Sequence, residues 1–134
     1  MLENYVKTLH IETMTLQDMV HKQFLPALMK YTDEVVETAL SKKKLSENLT
    51  TTAEEKLAKT LSEYYLKITD KNEKLAKDTE KAEKVTDSLK KAVFYHDTVI
   101  AYMEALRKIA DEAEALIPED TLPYPTYEKM LFYV

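Results

Sequence analysis

The 134-residue sequence contains no glycine and no cysteine. Glycine supplies the backbone freedom that tight turns need, and most phosphate-cradling loops depend on it. Its absence predicts an all-helical chain with few connections. Without cysteine there is no disulfide and no thiolate metal site. No apolar run approaches the ~20 residues that span a bilayer. Met1 leads straight into an amphipathic pattern with no secretory leader, so a cytoplasmic setting and no membrane partner are expected. Positive charge is also in short supply: 19 Lys and Arg face 24 Asp and Glu, for a net charge of −5. The lysines alternate with acids and form no patch. That argues against nucleic-acid binding, which depends on cations displacing counterions.

What remains is one domain of amphipathic helix. A chain of this size can bury roughly two-thirds of its unfolded surface, enough for one core. The longest uninterrupted stripe lies between Leu89 and Ile117. Leu89, Val93, Val99, Met103, Leu106, Ala110, Ala113 and Ile117 recur at steps of three and four, with His96 filling the gap. Pro118 follows, and the residue before a proline avoids helical geometry, so the helix should stop near Ile117.

Upstream, Leu2, Tyr5, Val6, Leu9, Leu16, Val20, Phe24, Ala27 and Tyr31 share one face of a first helix, about residues 2–44. Pro26 lies inside it and predicts a kink. A second apolar set, Ile11, Met14, Leu25 and Met29, lies on the opposite side with Lys7, Asp18 and Lys22. It reads either as scattered surface hydrophobes or as a second contact surface.

Residues 46–52 read as a loop. Thr52 with Glu55 forms a capping box that opens a second helix, about 53–80, with Leu57, Leu61, Tyr64, Ile68 and Leu75 on its stripe. From Asp70 to Lys84 nearly every residue is charged, threonine or alanine. Pairs such as Glu73–Lys77 support a solvated, projecting helix. The chain should reverse near 81–86, where Thr86, Asp87 and Ser88 are good N-caps. The apolar phase almost continues through that point, so one long coiled coil is the alternative. The predicted fold is therefore all-α. It is an antiparallel three-helix bundle over 1–117 with a kinked first helix, a projecting helix 2–3 hairpin, and a third helix over about 87–117. An extended Pro/aromatic docking tail covers 118–134. Leu122, Tyr124, Tyr127, Leu131 and Phe132 make that tail unusually apolar, suited to its own bundle or to a neighbour.

Chemistry is scarce. Asp18 and His21 stand one turn apart, but metal bundles of the di-iron type use a Glu-x-x-His from each of two helices plus two further glutamates. His96 reads as a core histidine. No serine sits beside a histidine and an acid in a nucleophile elbow. No catalytic, cofactor-binding or metal-ligating residue is assigned. The candidate site is an interface: Ile11, Met14, Leu25 and Met29 on the first helix, with Leu122, Tyr124, Tyr127, Leu131 and Phe132 in the tail.

Two stretches carry a family likeness. Tyr95-His96-Asp97-Thr98-Val99, Tyr102-Met103, Leu106-Arg107, Asp111-Glu112-Ala113-Glu114, Leu122-Pro123-Tyr124-Pro125-Thr126-Tyr127 and Leu131-Phe132 resemble the C-terminal end of type III glutamine synthetases. Leu2-Glu3-Asn4-Tyr5, Lys7-Thr8, Ile11-Glu12, Thr15, Asp18-Met19 and Leu25-Pro26-Ala27 resemble the helix after that family's catalytic domain. Leu122 departs from the pattern, which usually has tryptophan there, and 45–84 carries little of the likeness. The resemblance implies a parent that joins glutamate and ammonia with ATP and Mg or Mn, through a γ-glutamyl phosphate. It implies a homo-oligomer of two stacked hexameric rings, in which this chain partners the catalytic domain and neighbouring subunits. It implies no cofactor held by this fragment. The alternative is a free-standing helical or coiled-coil interaction module.

Overall fold

In a computed structural model, the structure describes residues 1–123. Five α-helical segments form three long rods. The first rod runs through α1 (Leu2–Met19), a π-turn (Val20–Phe24) and α2 (Leu25–Leu45). The second is α3 (Thr52–Glu83). The third joins α4 (Ser88–Phe94), a π-turn (Tyr95–Val99) and α5 (Ile100–Glu114). A single 3₁₀ turn, Glu119–Thr121, follows. No described residue has positive φ, so the connections are made without the conformation that glycine favours.

Long-range contacts fix the directions. Lys42 meets Glu54, Asn72 donates to the Gln17 carbonyl, and His10 meets Glu83. The first two rods are therefore antiparallel. Lys91 meets Glu83, and the Lys74 ammonium sits 5.2 Å from the centre of the Tyr102 ring, so the third rod runs antiparallel to α3.

The core is a heptad seam. Leu61, Ile68, Leu75 and Ala82 recur every seven residues along α3 and are all fully buried. Val6, Leu9, Leu16, Val20, Phe24 and Leu28 face them from the first rod, and Tyr95, Val99, Met103 and Leu106 from the third. Seven-residue repeats keep such a seam facing its partners along a bundle. Thr13 and Thr79 sit buried in the same seam. Their hydroxyls donate to the Leu9 and Leu75 carbonyls at 2.7 Å, which satisfies them within their own helices.

The two π-turns rotate parts of the expected stripes. A π-turn inserts one residue and widens the helix locally. Around Tyr95–Val99 this sets Tyr95 beneath Val99, so Ala92 and Tyr95 are buried while Leu89 and Val93 are exposed. His96, expected on the core stripe, is on the surface beside Asp97. Around Val20–Phe24 the same rotation carries Leu25 into the core. Leu25 therefore does not belong to the exposed face assigned to it. Pro26 falls in the first turn of α2. The Leu25 N–H reaches back to the Val20 carbonyl. The helical path thus continues through the proline, and the expected disruption takes the form of a wider turn.

Two further expectations change. The projecting part is not the helix 2–3 hairpin: Leu75, Asp78, Thr79 and Ala82 are buried under α1, whose Gln17 side chain reaches Thr79. The first rod is roughly 66 Å long and the third roughly 40 Å. Among the described residues it is therefore the 46–51 end of the first two rods that extends past the third. The cap of α3 is Thr51 rather than Thr52, and its hydroxyl contacts the Glu55 carboxylate at 3.2 Å. Helix three begins at Ser88, with Asp87 accepting from the Lys90 N–H at 3.0 Å.

Candidate functional site

Two features stand out. The first is a polar clamp where α1 crosses the α3–α4 turn. Glu83, on the last turn of α3, is its hub. The Tyr95 hydroxyl donates to Glu83 Oε1 at 2.7 Å, His10 Nδ1 lies 2.8 Å from the same oxygen, and Lys91 Nζ lies 2.7 Å from Oε2. His10 Nδ1 is also 3.1 Å from the Tyr95 hydroxyl. One carboxylate thereby ties all three rods together. Beside it lies a groove of about 480 Å³ lined by Asn4, Lys7, His10, Glu83 and Lys91 among others.

Burial raises the Glu83 pKa, but Lys91, Tyr95 and His10 outweigh it, so the carboxyl ionises below its ordinary 4.5. Burial first, and then the neighbouring Glu83 charge, pushes the Tyr95 hydroxyl upward. A depressed carboxyl stabilises the fold above its unfolded pKa, and that stabilisation fades as pH falls through the lowered folded value. Glu83→Gln is thus expected to be clearly less stable than the parent sequence at pH 7, with the gap closing below about pH 4.5. Thermal denaturation at pH 7 and pH 3.5 measures this. An equal gap at both values would refute the ionic role of Glu83.

The second feature is the outward face of the first rod. Ile11, Met14 and Met29 are exposed there, with Val36 and Leu40 further along. Leu122, by contrast, is buried against the core. Tyr124, Tyr127, Leu131 and Phe132 lie outside the described residues. Asp18 and His21 share no third ligand: Asp18 pairs with Lys22 at 3.9 Å, and no group of three His, Cys, Asp or Glu among the described residues is placed to hold a metal ion. No described helix is long and apolar enough to cross a membrane.

The clamp was not legible from sequence. His10 and Tyr95 are 85 positions apart, and no local pattern joins them.

The fold and surface define an all-α bundle domain closed by an ionic clamp, with an apolar outer face on the helical path of its first rod. The model of the glutamine synthetase C-terminal domain family matches residues 1–43, which is most of that helix. A glutamine synthetase from Butyrivibrio fibrisolvens is 42% identical over 132 residues, 98% of this chain and 19% of the relative. One from Bacteroides fragilis (strain YCH46) is 28% identical over 139 positions, again 98% of this chain and 18% of the relative. The chain thus spans under a fifth of each relative's length. These matches place it with the C-terminal domains of glutamine synthetases.

Proposed function

We propose that this chain is the C-terminal helical domain of a type III glutamine synthetase, and that its role there is to hold subunits together rather than to catalyse. The parent would be a cytoplasmic ligase that joins glutamate to ammonia with ATP and Mg or Mn, in two stacked hexameric rings. The type III assignment is supported by the aromatic-proline motif Leu122-Pro123-Tyr124-Pro125-Thr126-Tyr127. The contact role is carried by one observation. Ile11, Met14 and Met29 lie within the family-matched segment, yet are exposed while the opposite face of the same helix is buried. A helix apolar on two sides is a helix covered twice.

Removing this domain from the full-length parent tests the reading. The truncated enzyme is expected to sediment at a lower mass than the intact assembly. An unchanged assembly would overturn the contact role.

A further inference from the structure

A wedge separates the first rod from the third. α5 packs chiefly against α3, and between it and the first rod lies a groove of about 440 Å³. Ile11 and Met19 wall it on one side and Ala110 on the other, over a nearly buried Phe24. Glu12, Arg107 and Asp111 stand around this mostly apolar lining. Ile11 is 61% exposed and Met19 37%, so the wedge holds apolar surface that none of the described residues covers.

We propose that the occupant of the wedge is the tail of this same chain, residues 124–134. Three observations select it. The first is position. After Ile117 the chain turns through Pro118 and the 3₁₀ turn and returns Leu122 to the core. The tail therefore leaves the bundle close to Glu114, the α5 residue that lines the near end of the groove. The second is length. Eleven residues reach about 36 Å when extended. That exceeds the roughly 10 Å of α5 bordering the wedge, whereas the polar groove beside the clamp lies roughly 40 Å away at the other end of the third rod. The grooves beside Met29 and beside Val35 include no residue of the third rod, from whose end the tail emerges. The third is chemistry. Seven of the eleven tail residues are Tyr, Met, Leu, Phe or Val, and its charged side chains, Glu128 and Lys129, are of opposite sign, like those around the groove. So apolar a segment gains by leaving water, and its bulky side chains suit a wedge that the helices themselves do not fill. With the tail in place, Ile11 belongs to the bundle's own packing, and Met14 and Met29 remain the face offered to a neighbour.

The chain contains no tryptophan, so Phe132→Trp and, separately, Tyr127→Trp each place a single fluorescent reporter in the tail. Both are expected to emit to the blue of an indole in water and to resist acrylamide quenching, equally at about 1 and about 100 µM, a range in which micromolar self-association would show. Ile11→Lys and Met19→Lys, each added alone at an exposed wall position, are expected to shift the emission to the red and raise the quenching, with an unchanged helical circular dichroism spectrum. Met14→Lys, outside the wedge, is expected to change neither. A nitroxide attached at Leu131→Cys, in a chain otherwise free of cysteine, is expected to broaden the amide resonances of Met19 and Ala110 and to spare those of residues 46–51. Water-like emission from both reporters, protection that ignores the wall lysines, or a nitroxide that spares the wedge would each overturn the proposal. Protection that appears only at the higher concentration would overturn it in favour of a tail seated on a second copy.

Discussion

Deletion of Asp97 is expected to leave the bundle folded, whereas deletion of Lys108 is expected to unfold it. Both residues are exposed, and both sit in the middle of the third rod. The difference lies in the local winding. Asp97 belongs to the π-turn Tyr95–Val99, which already holds one residue more than an α-turn needs. Taking one residue out lets the turn close to ordinary α geometry, with Tyr95 and Val99 still on one side. The segments above and below keep their facing, and the loss should be about 1–2 kcal/mol. Lys108 lies in regular α5. Removing it swings one half of the rod by roughly 100° relative to the other. Either Met103 and Leu106 or Ala113 and Ile117, all buried now, would then point to water. Losing that many buried side chains costs more than about 5 kcal/mol, comparable with the total stability of a domain. Circular dichroism melts of the two deletions measure the contrast. Equal stability would mean that the π-turn is not a spare residue.

Tyr95→Ala is expected to lower stability by about 3–5 kcal/mol, a shift in the melting midpoint on the order of 15 °C. Among the described residues Tyr95 is the largest fully buried side chain, so truncation opens a void in a closely packed seam. Tyr95→Phe keeps the ring and removes only the hydroxyl. Glu83 would retain Lys91 and His10, so that variant should lose about 1–2 kcal/mol. Chemical denaturation of both variants separates packing from polar contact. If Phe proves as damaging as Ala, the hydroxyl and not the ring holds the clamp.

Much of the fold was legible before the structure. Leu61, Ile68 and Leu75 fall on one expected stripe because steps of seven survive in a straight helix, and all three are buried. The absence of glycine pointed to helices because turns here had to be built from other residues. Leu25, Leu89, Val93 and His96 depart from the expected faces for a common reason. Leu25 follows one π-turn, His96 lies inside the other, and Leu89 and Val93 precede it, and a fixed 100° count drifts off phase when one residue is added. Pro26 hinted at the first irregularity, but nothing comparable marks the second. The solvated reading of 70–84 failed differently. Its composition is polar, yet Thr79 and Ala82 are small enough to pack under α1, and Asp78 is carried in with them. For the candidate site, the exposure of Ile11 and Met14 is legible because helical spacing alone sets them away from the core, whereas Met29 lies beyond the π-turn and is exposed on a shifted count. The clamp was not, since its members come together only once three rods are in place.

The clamp also orders the events by which the molecule forms. Lys42 and Glu54 are 12 positions apart, while His10 and Tyr95 are 85 apart. Closing a long chain loop costs more entropy than closing a short one. The two antiparallel arms beside residues 46–51 can zip from their shared bend, each turn bringing the next within reach. That zipper runs as far as the His10–Glu83 contact, and the Tyr95 and Lys91 contacts close on Glu83 once the last arm returns.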